Sequence, residues 1–323
     1  MLEREVSTIL SVGAAVQDVF LSGDVFKPQN EDGQLVEEFK LGEKYELGGV
    51  VFATGGGATN AAVTFARQGL HAKFLGKLGE DVSARMVLDD LHQNGVDTSL
   101  VKTDAGVKTG YSTLLLAPTG ERTILTFRGS SDDFKPDDFL LGSTEADWLY
   151  ISSLAGAMDA LESLIGWAQS RNIRIAINPG KGELAQADQL RELLKSCQVL
   201  IVNKDEIGQL VAGQDDQQLV RHASDMTPIV VMTDGPNGAT ATNREIIVAA
   251  GMYEDVPVID RTGAGDAFGS GLVAALARGQ SLAEAVKFAS ANSTSVVGQI
   301  GAKAGILDKD VVLHDMPLEV NDF

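Results

Sequence analysis

Asp260-Arg261-Thr262-Gly263-Ala264-Gly265-Asp266-Ala267-Phe268 is the stretch on which the reading of this chain turns. Behind it, Phe268, Leu272, Ala275 and Leu276 recur at helical spacing and mark the buried face of a helix. Gly263, Ala264 and Gly265 therefore stand just ahead of a helix N-terminus, where free amides and the helix dipole together make an anion hole. Asp266 is the odd member. A carboxylate beside an anion hole repels a bound phosphate unless it has chemistry to do, and taking a proton from an attacking hydroxyl is such chemistry. A helix-capping aspartate is the competing account, and this segment alone leaves the two open.

A second glycine-rich segment lies far upstream. Gly55-Gly56-Gly57-Ala58-Thr59-Asn60 runs into Ala61-Ala62-Val63-Thr64-Phe65-Ala66-Arg67-Gln68-Gly69. Its glycines let backbone approach a ligand closely, and Asn60 on the first helical turn can donate and accept toward hydroxyls. A tight strand-to-helix turn without a ligand explains three glycines equally well. Other nucleotide signatures are missing. There is no G-x-x-x-x-G-K-[ST] loop, no H-R-D and no D-F-G. Gly269-Ser270-Gly271-Leu272-Val273-Ala274 fits G-x-G-x-x-A only formally, because it falls inside the expected helix.

Around these segments the chain alternates short apolar runs with helical spacing. Trp148 to Ile151, Ile173 to Ile177, Val199 to Val202 and Ile229 to Thr233 read as strands, separated by helical stretches. Such alternation implies a mostly parallel sheet covered on both faces, with ligands at the carboxyl ends of its strands. Ser7 to Val16 reads as a first buried strand rather than a leader, since acidic residues precede it. Two stretches, 19–50 and 103–128, break the alternation and look like β-ribbon, the second carrying a Pro118-Thr119-Gly120 hairpin turn.

Composition narrows the function. The 323 residues are 44% hydrophobic and 22% charged, which excludes disorder or a coiled coil as a description of the whole. A formal charge of −19 disfavours nucleic acid and anionic membranes as partners. A single cysteine, Cys197, and four histidines without an HExxH pair leave no cysteine metal cluster and no zinc-hydrolase site. No apolar run approaches the roughly 20 residues that span a bilayer. A cytoplasmic location is the expectation.

Taken together, the two glycine-rich segments resemble the paired signatures of the ribokinase-like (PfkB) carbohydrate kinase family. Intermediate landmarks agree in order: Gly76-Lys77-Leu78-Gly79-Glu80-Asp81, Asn94-Gly95-Val96-Asp97, Asn203-Lys204-Asp205-Glu206 and Thr233-Asp234-Gly235-Pro236-Asn237-Gly238. The resemblance covers essentially the whole chain. It implies a ribokinase-like three-layer α/β sandwich with a mostly parallel central sheet, plus a small β-sheet lid. On that basis residues 1–18, 51–102 and 129–323 would form the nucleotide-binding core, and 19–50 and 103–128 the lid. It also implies an ATP-dependent kinase for a hydroxyl of a sugar or nucleoside. Asp266 would be the base, with Gly263, Ala264 and Gly265 holding the transferring phosphoryl group. Asp18, at the end of the first strand, would bind the acceptor with Gly56, Gly57 and Asn60. Asn203, Thr233, Gly235, Gly238 and, on the adenine side, Asn292 would serve ATP. Glu206 would anchor Mg²⁺ through water, while Asp260 and the Thr262 carbonyl match a monovalent-cation site that would take K⁺. A homodimer formed through the lid is expected.

Two departures bear on the acceptor. Ribose kinases usually carry Lys in the first signature, where this chain has Gly57, and a glutamate after the mid-chain strand, where it has Ile151-Ser152-Ser153-Leu154. Lys77, Arg128 and Lys181 are the candidate partners for an acceptor phosphate. A sugar kinase is the leading reading, a nucleoside kinase the second, and a silent sugar or nucleotide sensor the third, which the intact Asp266 argues against.

Overall fold

Period-two alternation sets the layers. In the strand Thr8–Val12, Ile9 packs on one side of the sheet and Leu10 on the other; in Trp148–Ile151, Trp148 and Tyr150 join Ile9 while Leu149 and Ile151 join Leu10. Strands that are apolar on both faces must be covered twice. The helices Gly57–Arg67, Val82–Gln93, Ala264–Ala277 and Leu282–Val297 cover the Ile9 side. Met158–Gln169, Ala187–Leu194, Lys204–Leu210 and Asp216–Ser224 cover the Leu10 side. The result is the three-layer α/β sandwich expected.

The structure, a computed structural model, describes residues 6–119, 121–253 and 256–323. Gly120 of the expected turn lies outside the described residues. Among those described, the central sheet has nine strands. From one edge they run His71–Leu75, Thr8–Val12, Trp148–Ile151, Arg174–Ile177, Val199–Asn203 and Ile229–Thr233, all parallel. Ala239–Thr242, Ile246–Ala250 and Leu318–Asp322 continue the sheet in antiparallel fashion.

A second sheet of four strands stands beside this core, in the order Arg122–Phe127, Gly110–Leu116, Val16–Ser22, Gly49–Gly55. Here the first-strand expectation is corrected. The buried strand read over Ser7–Val16 ends at Val12, because Gly13 takes φ +143° and turns the chain out of the core. The chain resumes as Val16–Ser22 in the small sheet, so Asp18 sits inside that sheet, beside Ala53 and Ser112 in register. Among the described residues no helix is long and apolar enough to cross a membrane.

Candidate active site

The glycine-rich segments meet across two packed helices. Gly263 adopts φ +79° as N-cap of Ala264–Ala277, and a Cβ there would fall 2.3 Å from the Ala302 Cβ, so no side chain fits. Asp266 is thus the third helical residue and makes no capping bond. Its Oδ2 instead accepts from Asn60 Nδ2 at 2.8 Å. The capping account is thereby set aside: the carboxylate faces another segment rather than its own helix end. Burial pushes the Asp266 carboxyl above the ordinary range, against the pull of Asn60 and Lys303. Asn60 is itself buried, and its Oδ1 accepts no hydrogen bond from the described residues.

Two cavities adjoin the Gly263–Asp266 loop. One is lined by Thr233, Gly235, Gly238, Ala264, Gly265 and Phe268, with Ser293 and Thr294. The other is lined by Gly57, Arg128, Ser152, Asn178, Glu206 and Asp266. Amides at a helix start therefore lie between a cavity with apolar walls and one with charged walls.

Asp18 is buried, and burial is the main cause that raises its carboxyl from 3.8 to about 6; Asp260 adds to this, while Ser112 and Lys303 oppose it. Gly55 is obligatory beneath it, since a Cβ there would meet Asp18 Oδ2 at 2.2 Å. Gly56 takes φ +100°. At Gly57 a Cβ would run into Ser152 Oγ, so the serine fills the space that a side chain at position 57 would take. A glutamate does reach that loop, from position 183. Its carboxylate is consumed by Ser153 Oγ and the amides of Leu154, Gly156 and Gly180, and so shapes the cavity wall.

Other expected residues serve differently. Asn203 does not line either cavity. It caps Lys204–Leu210, accepting from Glu206 N at 2.9 Å, while Glu206 Oε2 accepts from Asn203 N at 2.8 Å. Asn203 thereby aims Glu206, whose carboxyl is raised by burial and by Asp205. Asn292 is a correction. It is fully buried, donates to the Ala267 carbonyl and accepts from Leu307 N, so it ties helices together instead of facing a nucleotide. Helical spacing fixes this: Ser293 and Thr294 of the same helix take the cavity side. Asp260 accepts from Thr262 N and Oγ1 and from Gly301 N, bracing two loops. Lys77 is buried against Asp138, and of the three candidate cations only Arg128 borders the Asp266 cavity. Lys303, whose Nζ donates to Thr54 and Asp90, escaped the sequence reading, because a lone lysine among small residues carries no motif.

Comparisons with known proteins give the family and the fold. The description "pfkB family carbohydrate kinase" matches residues 32–309. The chain is 30% identical over 294 residues to probable fructokinase-7 of Arabidopsis thaliana, covering 80% of this chain and 82% of that one. It is 30% identical over 277 residues to aminoimidazole riboside kinase of Salmonella typhimurium, covering 78% and 84%. Arabidopsis thaliana ribokinase, solved with ribose and ATP, superposes with a TM-score of 0.75 at 20% identity, covering 95% of this chain and 97% of that one.

Asp18 gives a stability prediction. The folded chain holds this proton up to about pH 6, whereas the carboxyl's ordinary value is 3.8. That preference stabilises the fold below 3.8 and is lost as pH rises through about 6. Asp18→Asn is therefore expected to raise the unfolding free energy at pH 7 by up to about 3 kcal/mol and at pH 4 by under about 1 kcal/mol. Urea unfolding at the two pH values checks it; an equal change at both would show that ionisation is not the cause.

Proposed function

Since the chain belongs to the PfkB family of carbohydrate kinases, phosphotransferases whose acceptor is an alcohol, we propose that it transfers the γ-phosphoryl group of ATP to a hydroxyl of a small sugar. The observation that carries this is the place of Asp266: it borders the charged cavity, held by Asn60 at 2.8 Å, with the Gly263–Gly265 amides between it and the second cavity. ATP would occupy the cavity of Thr233, Gly235 and Gly238, with Phe268 on its wall. The acceptor would lie over Gly56 and Gly57, its hydroxyls donating to Asp18 and to the unpartnered Asn60 Oδ1.

Asp266 removes the proton of the attacking hydroxyl as its oxygen bonds to the γ-phosphorus and the β–γ bridging bond breaks. The loop amides stabilise the charge on the transferring group. Burial of Asp266 suits this task, because it brings a weak carboxylate base closer to the operating pH. Phosphoryl transfer needs Mg²⁺ to neutralise the triphosphate, and Glu206 fits that need through water. One of its oxygens is bound by Asn203 N–H and it lines the Asp266 cavity, while no cluster of three metal-ligating side chains occurs among the described residues. A protein-poor, water-rich shell is what Mg²⁺ favours. K⁺ would rest on the Thr262 carbonyl, with Asp260 bracing the loop. The 30% identity to a riboside kinase supports a second acceptor class, a nucleoside, for the same cavity.

The small sheet would act as lid and as dimer surface. Asp18, Phe20 and Ser112 share one face by alternation, whereas Val50, Phe52, Leu125 and Phe127 share the other. Phe52, Leu125 and Phe127 are 63%, 58% and 55% exposed, an apolar row that a second copy of the chain would cover.

Asp266→Asn is expected to lower kcat by about 10²–10⁴ while ATP affinity by calorimetry changes little. A variant keeping more than about a tenth of the rate would show that another group takes the proton. ATP consumption across a panel of sugars and ribosides identifies the acceptor, and consumption with none of them sinks the reading. The rate should vanish with EDTA and return with Mg²⁺; equal rates in K⁺, Na⁺ and a bulky organic cation would remove K⁺ alone. Phe52→Glu with Leu125→Glu should convert a dimer to a monomer by light scattering, and an unchanged mass would place the interface elsewhere.

A further inference from the structure

Three separated parts of the chain converge on one ammonium. Lys303 lies in Gly301-Ala302-Lys303-Ala304-Gly305, after the helix Leu282–Val297, and is only 7% exposed. Its Nζ donates to Thr54 Oγ1 at 2.7 Å and to Asp90 Oδ2 at 2.8 Å. Thr54 belongs to the small-sheet strand Gly49–Gly55 and Asp90 to the helix Val82–Gln93, and the Thr54 hydroxyl also donates to Asp90 Oδ2. The triangle is closed and built from long-range partners, with Lys303 and Thr54 buried and Asp90 partly exposed.

Its position is what gives it a role. The residue after Thr54 is Gly55, on whose bare Cα the Asp18 carboxylate rests. On the other side, Gly301 donates to Asp260 Oδ2 at 3.0 Å, Asp260 holds Thr262, and Ala302 packs against Gly263. A continuous path of contacts therefore runs from the anion-hole loop through residues 301–303 to the floor beneath Asp18. We propose that Lys303 is a positioning residue of the acceptor site, locking the strand under Asp18 to the loop that carries Asp266 so that the two carboxylates keep a fixed relation across the acceptor; this role rests on the kinase reading.

The charge of Lys303 works in the same direction. It favours the ionised forms of both Asp18 and Asp266 against burial. The groups that face Lys303 are Asp90 and Asp18, with Arg67 opposing; those that face Asp18 are Lys303, Asp260 and the Ser112 hydroxyl. Burial lowers the lysine's own affinity for its proton, and Asp90 and Asp18 offset only part of that loss. A buried pair of this kind is fragile to single deletions, since losing one partner strands the other charge.

The experiment compares Lys303→Arg, Lys303→Met and the double variant Lys303→Met with Asp90→Asn, which removes the pair without stranding a carboxylate. Two readouts are taken: KM for the acceptor and for ATP as a function of pH, and the ¹³C titration of the Asp18 carboxyl, assigned by its loss in Asp18→Asn. In the folded double variant, acceptor KM is expected to rise about tenfold with ATP KM within about twofold, and the Asp18 midpoint to move up by about one pH unit. Lys303→Arg should recover most of both. A folded double variant with wild-type acceptor KM and Asp18 midpoint overturns the proposal, as does an equal rise in both KM values. If the wild-type chain phosphorylates no sugar or riboside, the kinase reading fails, and the titration still decides whether Lys303 acts on Asp18.

Discussion

The hydrogen bond from Asn60 to Asp266 is the contact on which the rest of the site depends. It joins residues 206 positions apart, and it exists because two helices, Gly57–Arg67 and Ala264–Ala277, lie side by side on one face of the sheet. One turn further along each helix the pairing repeats, with Ser270 Oγ donating to Thr64 Oγ1 at 2.9 Å in a fully buried setting. Residues at i and i+4 on each helix thus share one seam. The Ser270–Thr64 step fixes the helix pair, and the Asn60–Asp266 step holds Asp266 at the cavity from a buried asparagine. Neither helix could rotate without losing both bonds.

That seam sets a demanding electrostatic problem. Asp18, Asp266 and Glu206 are all pushed upward by burial, in a chain whose formal charge is already −19. A fold optimised for stability alone would not desolvate three carboxylates, and costs of this sort concentrate where chemistry requires them. The offset comes from donors more than from cations. Asn60 serves Asp266, Ser112 serves Asp18, and Asn203 serves Glu206. Only Lys303 acts on two of the three as a full charge. Arg128 is the one arginine that borders the cavity of Asp266 and Glu206 among its lining residues.

Much of this was legible in residues 260–268 and 55–69, because both stretches encode backbone events. Glycines before a helical repeat predict a helix N-terminus wherever the helix later packs, so the start of Ala264–Ala277 and the sandwich could be read without contacts. Alternation in Trp148 to Ile151 announced a strand buried on both faces for the same reason. The failures were of another kind. The break at Gly13 depended on a backbone angle that a run of small apolar residues does not reveal, which misplaced Asp18 at the end of a core strand. Asn292 was set on the nucleotide side from its order in the chain, yet which side of a buried helix a residue faces shifts by a full half-turn over two positions. Lys303 and Glu183 were invisible because their partners lie in other elements and no spacing records them.

The small sheet shows how one local rule can serve two ends. Side chains on a strand alternate, so a sheet that presents Asp18 inward must present its neighbours' rows outward. Here the inward rows carry Asp18, Ser112, Phe20 and Leu114, and the outward rows carry Phe52, Val50, Leu125 and Phe127. The outward face carries Phe52, Leu125 and Phe127 more than half exposed, which leaves an apolar row uncovered. Covering the outward face would stiffen the strand that holds Asp18 without touching the acceptor. Lys303 grips the same sheet at Thr54, from within the chain. Assembly and the internal clamp would then both act on the strand beside Asp18, and a loss of either would register first in how well the acceptor is held.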